Sequence, residues 1–256
     1  MSDDSEAIAG LHAVQAALSE RPERLRQVMV NGERHDRRLE SILDAARHAG
    51  VPFEKLGSKA FQQRVQKLGL GDLRHQGVLA LVQAIVPLDE QDLWPLLESS
   101  TAPLLLVLDG VTDPHNLGAC LRVADAAGVH AVVVPRKRSA GLTATVVKVA
   151  SGAAESVPLI QVTNLARVLR GLQEAGVWIV GTAGEADASL YQADLTGPVA
   201  LVMGAEGAGM RRLTREHCDQ LVHLPMQGQV SSVNVSVATG ICLFEAVRQR
   251  TAIKPA

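Results

Sequence analysis

From residue 104 onward the chain alternates short aliphatic runs with longer stretches of helical periodicity, and this alternation restricts the fold more than any other feature. Strand-like runs at 104–111, 131–135, 159–162, 177–180, 199–203 and 221–224 are interspersed with helical segments at 117–127, 145–154 and 165–174, and 233–248 closes the series. Repeated strand-then-helix units imply an α/β fold, a mostly parallel sheet with helices on both faces. Strands covered on both faces read as unbroken branched aliphatic runs rather than as alternating ones. Composition agrees, because 47% of the 256 residues are apolar while only 2% are aromatic, leaving Val, Leu and Ala to fill the interior.

A smaller α/β unit precedes this series. Helical spacing runs over 8–18, a short strand over 25–30, an amphipathic helix over 38–49 ending at Gly50, a strand over 52–56, a helix near 59–68 and an apolar run over 78–86. Between the two units stand Pro87 and Pro95, with Pro103 at the far side, and Asp89, Glu90, Asp92 and Glu98 without a single basic residue. That shift in composition marks a junction, with Leu93 and Trp94 available to dock it. The expected organisation is a first domain at 1–82, a linker at 83–102 and a second domain at 103–256.

A formal charge of −2 and a pI near 6.4 argue against a chain that coats nucleic acid over its whole surface. Charge is unevenly spread, however: residues 20–75 hold twelve Lys and Arg against eight Asp and Glu. A basic face on the first domain fits a polyanionic partner, and a solvated helix face fits the same count. Cys120, Cys218 and Cys242 lie far apart without C-x-x-C spacing, as expected of reduced thiols serving as small core residues. The acidic start has no basic head or apolar stretch, and no run reaches membrane-spanning length, so a cytoplasmic protein is expected.

Polar residues and glycines collect directly after the aliphatic runs, where open parallel sheets keep their chemistry. One such island runs from Asp113 through His115, Asn116 and Gly118 to Arg122, a second is Gly204-Ala205-Glu206-Gly207-Ala208-Gly209, and a third is Ser231-Ser232-Val233-Asn234-Val235-Ser236. The G-x-x-G-x-G spacing is neither a Rossmann fingerprint nor a P-loop, but its glycines allow backbone to approach a ligand closely. Glu206 needs a cationic or donor partner, and Arg122 is the expected one. Asn116 either caps the helix it opens or binds substrate, and Ser232 and Asn234 face the same alternatives at the last helix. Arg122 is a lone cation on an apolar helix, which implies a partner or a purpose. His115 reads as a solvated loop residue rather than a general base. Neither a nucleophile-histidine-acid triad nor an H-E-x-x-H metal set is present.

Taken in order, Asn116 with Arg122, then Gly204, Glu206 and Gly209, then Leu224-Pro225-Met226 with Ser232-Val233-Asn234-Val235-Ser236, resemble the three motifs of the SpoU/TrmH family of RNA ribose 2′-O-methyltransferases. The resemblance spans about 102–250, and the amino-terminal part is similar to that family's RNA-binding domain. It implies a C-terminal trefoil knot of the SPOUT type, S-adenosyl-L-methionine as cofactor, no metal, and a homodimer formed through the knotted domain and the last helix. That helix is apolar nearly all round, through Val235, Val237, Ala238, Ile241, Leu243, Phe244 and Val247, which independently suits a subunit interface or, alternatively, a helix wedged into the domain core.

The resemblance also assigns roles. Backbone at Gly204, Leu224 and Val233 is expected to hold the adenosine of the cofactor. Arg122 is expected to act as a base made competent by its neighbours or as a cation at the forming alkoxide, with Asn116, Glu206, Ser232 and Asn234 completing the catalytic set. The implied substrate is a guanosine of 23S rRNA, favoured over tRNA by the separate first domain; a non-catalytic ribosome-assembly factor is the alternative from another class. Arg34, Arg37, Arg38, Arg74, Arg136 and Arg138 are the expected RNA contacts. Scarce aromatics favour recognition of RNA shape and backbone over base stacking.

Overall fold

The computed structural model describes residues 5–34, 36–71, 75–83 and 85–252, and the chain divides into two units, Met1–Ala84 and Ile85–Ala256. The first contains β1 (Ser5–Ala9), α1 (Leu11–Glu20), β2 (Leu25–Asn31), α2 (Arg37–His48), β3 (Phe53–Leu56), α3 (Ser58–Lys67) and β4 (Val78–Gln83), with sheet order β1-β4-β2-β3. Alternation along β2 assigns its faces. Val28 and Val30 meet Val14 of α1 and Ile42 of α2, while Met29 meets Phe61 and Val65 of α3. The helix expected over 8–18 is really a strand and a helix. Gly10, at φ 103°, turns the chain between them, and Ile8 lies opposite Ala80 in the antiparallel β1·β4 pair. A five-residue strand running straight into an amphipathic helix is too short to display its own period.

The second unit contains β5 (Leu88–Asp89), α4 (Glu90–Glu98), β6 (Leu104–Asp109), α5 (Pro114–Ala126), β7 (Ala131–Pro135), α6 (Ala144–Ala150), α7 (Ala153–Ser156), β8 (Leu159–Val162), α8 (Leu165–Glu174), β9 (Trp178–Thr182), β10 (Ala188–Ser189), β11 (Val199–Gly204), α9 (Arg212–Glu216), β12 (Gln220–His223) and α10 (Val235–Ala252). Its eight strands lie in the order β10-β12-β9-β11-β6-β7-β8-β5, and each pairing is parallel. Leu104, Leu106 and Leu108 of β6 face a core shared with α5, α6, α7 and α10, whereas Leu105 and Val107 face one shared with α4 and α8. Both faces are therefore covered, as the aliphatic runs required.

Residues 83–102 are not a linker in the sense expected. β5 extends the large sheet beside β8, and α4 buries Leu93 and Leu97 against it. Trp94 lies against Gly171 of α8 so closely that a Cβ there would meet its ring at 2.7 Å. The prolines and acidic residues are those of a helix start: Asp89 and Asp92 form a capping box, and Pro95 lies within the helix. The single helix expected over 145–154 is broken into α6 and α7 by Ser151 and Gly152, both left-handed.

The chain runs outward from β6 through β7 to β8, then crosses back to β9, and β11 enters between β9 and β6. The strand order thus reverses beside β6, which opens a crevice at the carboxyl ends of β6 and β11. α10 closes that side, packing on α5, where Cys120 Sγ lies 3.6 Å from Thr239 Oγ1. At the far end of α10, Arg250 donates to the carbonyls of Ala102 (2.8 Å), Leu195 (3.0 Å) and Gly197 (2.6 Å), anchoring the helix to the segments that enter β6 and β11. Among the described residues no helix is long and apolar enough to cross a membrane.

Burial pushes the Cys120 thiol up to about 11 and those of Cys218 and Cys242 up to about 12. Thiolate is the reactive form, so the folded protein at pH 8 is expected to leave a disulfide reagent unreacted over minutes while all three thiols titrate in denaturant. Rapid stoichiometric labelling of any one of them in the native state would contradict this packing.

Candidate functional site

The carboxyl ends of β9, β11 and β12, with the segment that leads into α10, enclose a cleft of about 780 Å³. Met203, Val222, Leu224, Val233 and Val235 give it apolar walls, and Thr182, Glu185, Glu206, Arg215 and Asn234 supply polar groups. A volume of this order, apolar with a few convergent polar groups, suits a nucleoside-sized ligand.

The loop after β11 is folded back on itself. Ala205 and Gly209 bridge one another, and Gly207 and Gly209 take φ 74° and 67°, values open to glycine at little cost. At Gly204 the backbone of Gly209 and Met210 passes so near that a Cβ would lie 2.3 Å from both Gly209 C and Met210 N. What fixes the loop against the sheet is Asp109, the last residue of β6, whose carboxylate accepts from Arg211 N (2.8 Å) and Arg211 Nε (2.6 Å) and pairs with the same guanidinium through Nη2. The Asp109 side chain is fully buried, a position a carboxylate holds only with such charge-assisted partners.

Asn234 joins the three polar islands. Its Oδ1 accepts from Ser236 N (2.9 Å) and so caps α10, while its Nδ2 donates to Asn116 Oδ1 (3.0 Å) and to Glu206 Oε1. Glu206 Oε1 also accepts from Val235 N at 3.3 Å, so the carboxylate sits at the N-terminus of an eighteen-residue helix, where the helix dipole favours an anion. Capping and site-building are therefore the same set of hydrogen bonds.

Several sequence expectations are corrected here. Glu206 is held by Asn234 and the Val235 amide, and no ion pair with Arg122 forms among the described residues. Arg122 is exposed, lies outside the residues lining the cleft, and donates instead to Ser151 Oγ at 3.5 Å. Its six-residue separation from Asn116 places the two on different sides of α5. Asn116 is buried within the first turn of α5 and does not cap it; Asp113 does, accepting from His115 N at 2.8 Å. Gly204, Leu224, Ser232 and Val233 all line the cleft with Glu206 and Asn234. His115 is exposed, as expected of a solvated residue.

Arg34, Arg37, Arg38 and Arg138 are exposed, and Arg74 lies outside the described residues. Arg136 is exposed but paired with Asp89 of β5 at 2.6 Å. That contact is weak enough in water, about 0–1 kcal/mol, for a phosphate to displace it. Among the described residues no cluster of His, Cys, Asp or Glu is arranged to hold a metal ion.

Sequence reasoning passed over Asp109, Arg211, the 182–185 segment and His223. Asp109 carried a signal, an acid directly after five aliphatic residues, and the 182–185 segment follows a strand that belongs beside β11. His223 carried none: it closes β12 at the cleft, and its Nδ1 is buried without a hydrogen-bond partner among the described residues.

Comparison with known proteins places this geometry. Residues 103–244 match the SpoU rRNA methylase family, and residues 7–86 match the model described as RNA 2′-O ribose methyltransferase substrate binding. The chain is 61% identical over 246 residues to the 23S rRNA (guanosine-2′-O-)-methyltransferase RlmB of Yersinia pestis, covering 96% of this chain and 98% of that one. It is 60% identical over 247 residues to RlmB of Escherichia coli K12, covering 96% and 100%. Among solved structures, the SpoU methyltransferase AviRb from Streptomyces viridochromogenes superposes with a TM-score of 0.76 at 26% identity, covering 99% of this chain and 92% of that one. AviRb in complex with AdoMet shares the fold with a TM-score of 0.75 at 24% identity, covering 97% and 92%.

Two substitutions probe the loop. Gly204→Ala forces the Gly209–Met210 backbone aside, an overpacking cost of about 1–3 kcal/mol, and is expected to lower the melting temperature and distort the cleft. Asp109→Ala leaves Arg211 N–H groups without their acceptor and is expected to cost about 1–3 kcal/mol, the exposed side of Arg211 softening the loss. Chemical denaturation measures both; wild-type midpoints would show that the loop is not held in this way.

Proposed function

The chain belongs to the SpoU rRNA methylase family, and from that premise we propose that it transfers a methyl group from S-adenosyl-L-methionine to the ribose 2′-oxygen of a guanosine in 23S rRNA. The observation that carries this reading is the meeting of Asn116, Glu206 and Asn234 at the edge of a cleft lined by Gly204, Leu224 and Val233. Near-full-length identity of 60–61% to 23S rRNA guanosine methyltransferases favours that substrate over tRNA.

The residues present fit the cofactor. The apolar walls suit a purine, and His223 Nδ1, buried without a hydrogen-bond partner among the described residues, marks a polar atom in search of one. Backbone at Gly204, Leu224 and Val233 would hold the adenosine, and the bound cofactor supplies a methyl group on a positive sulfonium, a leaving group that departs neutral and needs no metal. Asn116, Ser232 and Asn234 orient the ribose. Arg122, exposed and outside the cleft lining beside Ser151, is the cation assigned to the 2′-oxygen of an RNA laid across that side, where it would stabilise the forming oxyanion as the proton passes to water, since a guanidinium is a poor base but a good alkoxide stabiliser. By seating ribose and cofactor side by side, the cleft residues would contribute through proximity, worth up to about 7–11 kcal/mol in favourable cases.

The first unit grips RNA, with Arg34, Arg37, Arg38 and Arg74 as phosphate contacts and Arg136 and Arg138 adding charge beside β7. The protein works in the cytoplasm as a homodimer. Val237, Ile241 and Phe244 support the second statement: at 52%, 37% and 49% exposure they form one apolar stripe along α10, at the spacing of a helix face. Insertion of β11 between β9 and β6, and of β12 between β10 and β9, supports a C-terminal trefoil knot.

Arg122→Ala is expected to lower transfer of labelled methyl to a 23S rRNA transcript by about 10²- to 10³-fold, with calorimetric binding of S-adenosyl-L-methionine retained. Near wild-type turnover would refute the assignment. Phe244→Asp is expected to move the sedimenting species from dimer to monomer; an unchanged dimer would place the interface elsewhere.

A further inference from the structure

Arg122 and Gly118 are one turn apart on the same face of α5, and that face meets α6. At Gly118 the approach is closer than any side chain permits: a Cβ there would lie 2.7 Å from Val149 Cβ and 2.8 Å from Val146 O. The absent side chain lets the carboxyl end of α6 come up beside Arg122, and the residue that arrives is Ser151. Its hydroxyl donates to Val149 O at 3.5 Å and accepts from Arg122 Nη1 at 3.5 Å. Among the described residues it is the guanidinium's one hydrogen-bond partner.

Ser151 reaches this position in a conformation serine does not favour. Its φ and ψ are 51° and 50°, left-handed, where an L side chain costs about 1–2 kcal/mol. Glycine would take the same conformation freely and stands next in the chain, at Gly152 with φ 94°. A serine kept where glycine is easier points to a use for the hydroxyl.

The chemistry of the hydroxyl matters. A carboxylate beside Arg122 would orient the guanidinium but neutralise it. A neutral hydroxyl orients the guanidinium and leaves its charge available to a developing oxyanion. We propose that Ser151 is a positioning residue, fixing the Arg122 guanidinium at the carboxyl end of α6 without quenching its charge. The proposal rests on the reading of Arg122 as the catalytic cation.

Three variants, Ser151→Gly, Ser151→Asn and Ser151→Asp, test it alongside Arg122→Ala, by single-turnover methyl transfer at saturating S-adenosyl-L-methionine and 23S rRNA transcript, with cofactor affinity and melting temperature measured in parallel. Glycine relieves the backbone and removes the hydroxyl. It is expected to melt no lower than wild type, bind cofactor equally and slow the chemical step about ten- to hundredfold, the scale set by misplacing a catalytic group. Asparagine tolerates the left-handed conformation and offers a side-chain carbonyl, so it is expected to recover most of that rate. Aspartate is expected to be slower than asparagine, because it pairs with the cation. A wild-type rate in Ser151→Gly beside an inactive Arg122→Ala would overturn the role of Ser151 and leave that of Arg122 intact. Equal loss in the glycine and asparagine variants would also overturn it. A wild-type rate in Arg122→Ala would instead remove the reading beneath it.

Discussion

The site depends on the side-chain amide of Asn234. Three segments far apart in sequence must be brought together at one edge of the sheet, and Asn234 serves all three through the two polar atoms of its side chain: oxygen to the start of α10, nitrogen to Asn116 of α5 and to Glu206 of the β11 loop. An amide is suited to this because it donates and accepts at once, whereas an ionised carboxylate only accepts and an ammonium only donates. Glu206 is in turn held by the backbone amide of Val235. Each member is thus satisfied by another, and an interdependent network of this kind is more sensitive to loss of one member than a sum of pairs would be.

Beneath that junction the sheet sets the distances. Parallel pairing of β11 with β6 from Val199↔Leu104 to Gly204↔Asp109 brings a glycine and an acid side by side at the carboxyl edge. Their roles divide cleanly. Gly204 leaves room for the loop to cross, and Asp109 fixes the loop's return through Arg211. On the other side of α5, Gly118 does for α6 what Gly204 does for the loop. Both positions use the missing side chain to let backbone approach backbone, and in both a polar residue follows where the approach ends.

Much of this was legible in the sequence. The unbroken aliphatic runs specified strands covered on both faces, and two of the polar islands directly after them line the cleft at the carboxyl edge. Two things were not legible. The first was local: Gly10 divides a strand from a helix whose apolar residues share one continuous pattern, and the acidic, proline-containing segment after Val86 reads as a junction until Trp94 is seen seated on Gly171. The second was pairing. Opposite charges made Arg122 the natural partner for Glu206, but six helical positions from Asn116 turn Arg122 toward α6, and the carboxylate is satisfied by the helix end instead. Sequence shows which groups need partners; the sheet order and the turn of a helix decide which partners they get.

Asn234→Asp tests the account most directly, because the substitution keeps the oxygen that caps α10 and removes the nitrogen that joins α5 to the β11 loop. Titration calorimetry with S-adenosyl-L-methionine is the measurement. If the amide is what assembles the cleft, the variant still folds but melts lower than wild type, because a second carboxylate then faces Glu206, and its affinity for the cofactor falls at least about tenfold, the equivalent of roughly 1.4 kcal/mol. Wild-type affinity in a folded Asn234→Asp protein would contradict the account, since the cleft would then form without the bond said to build it.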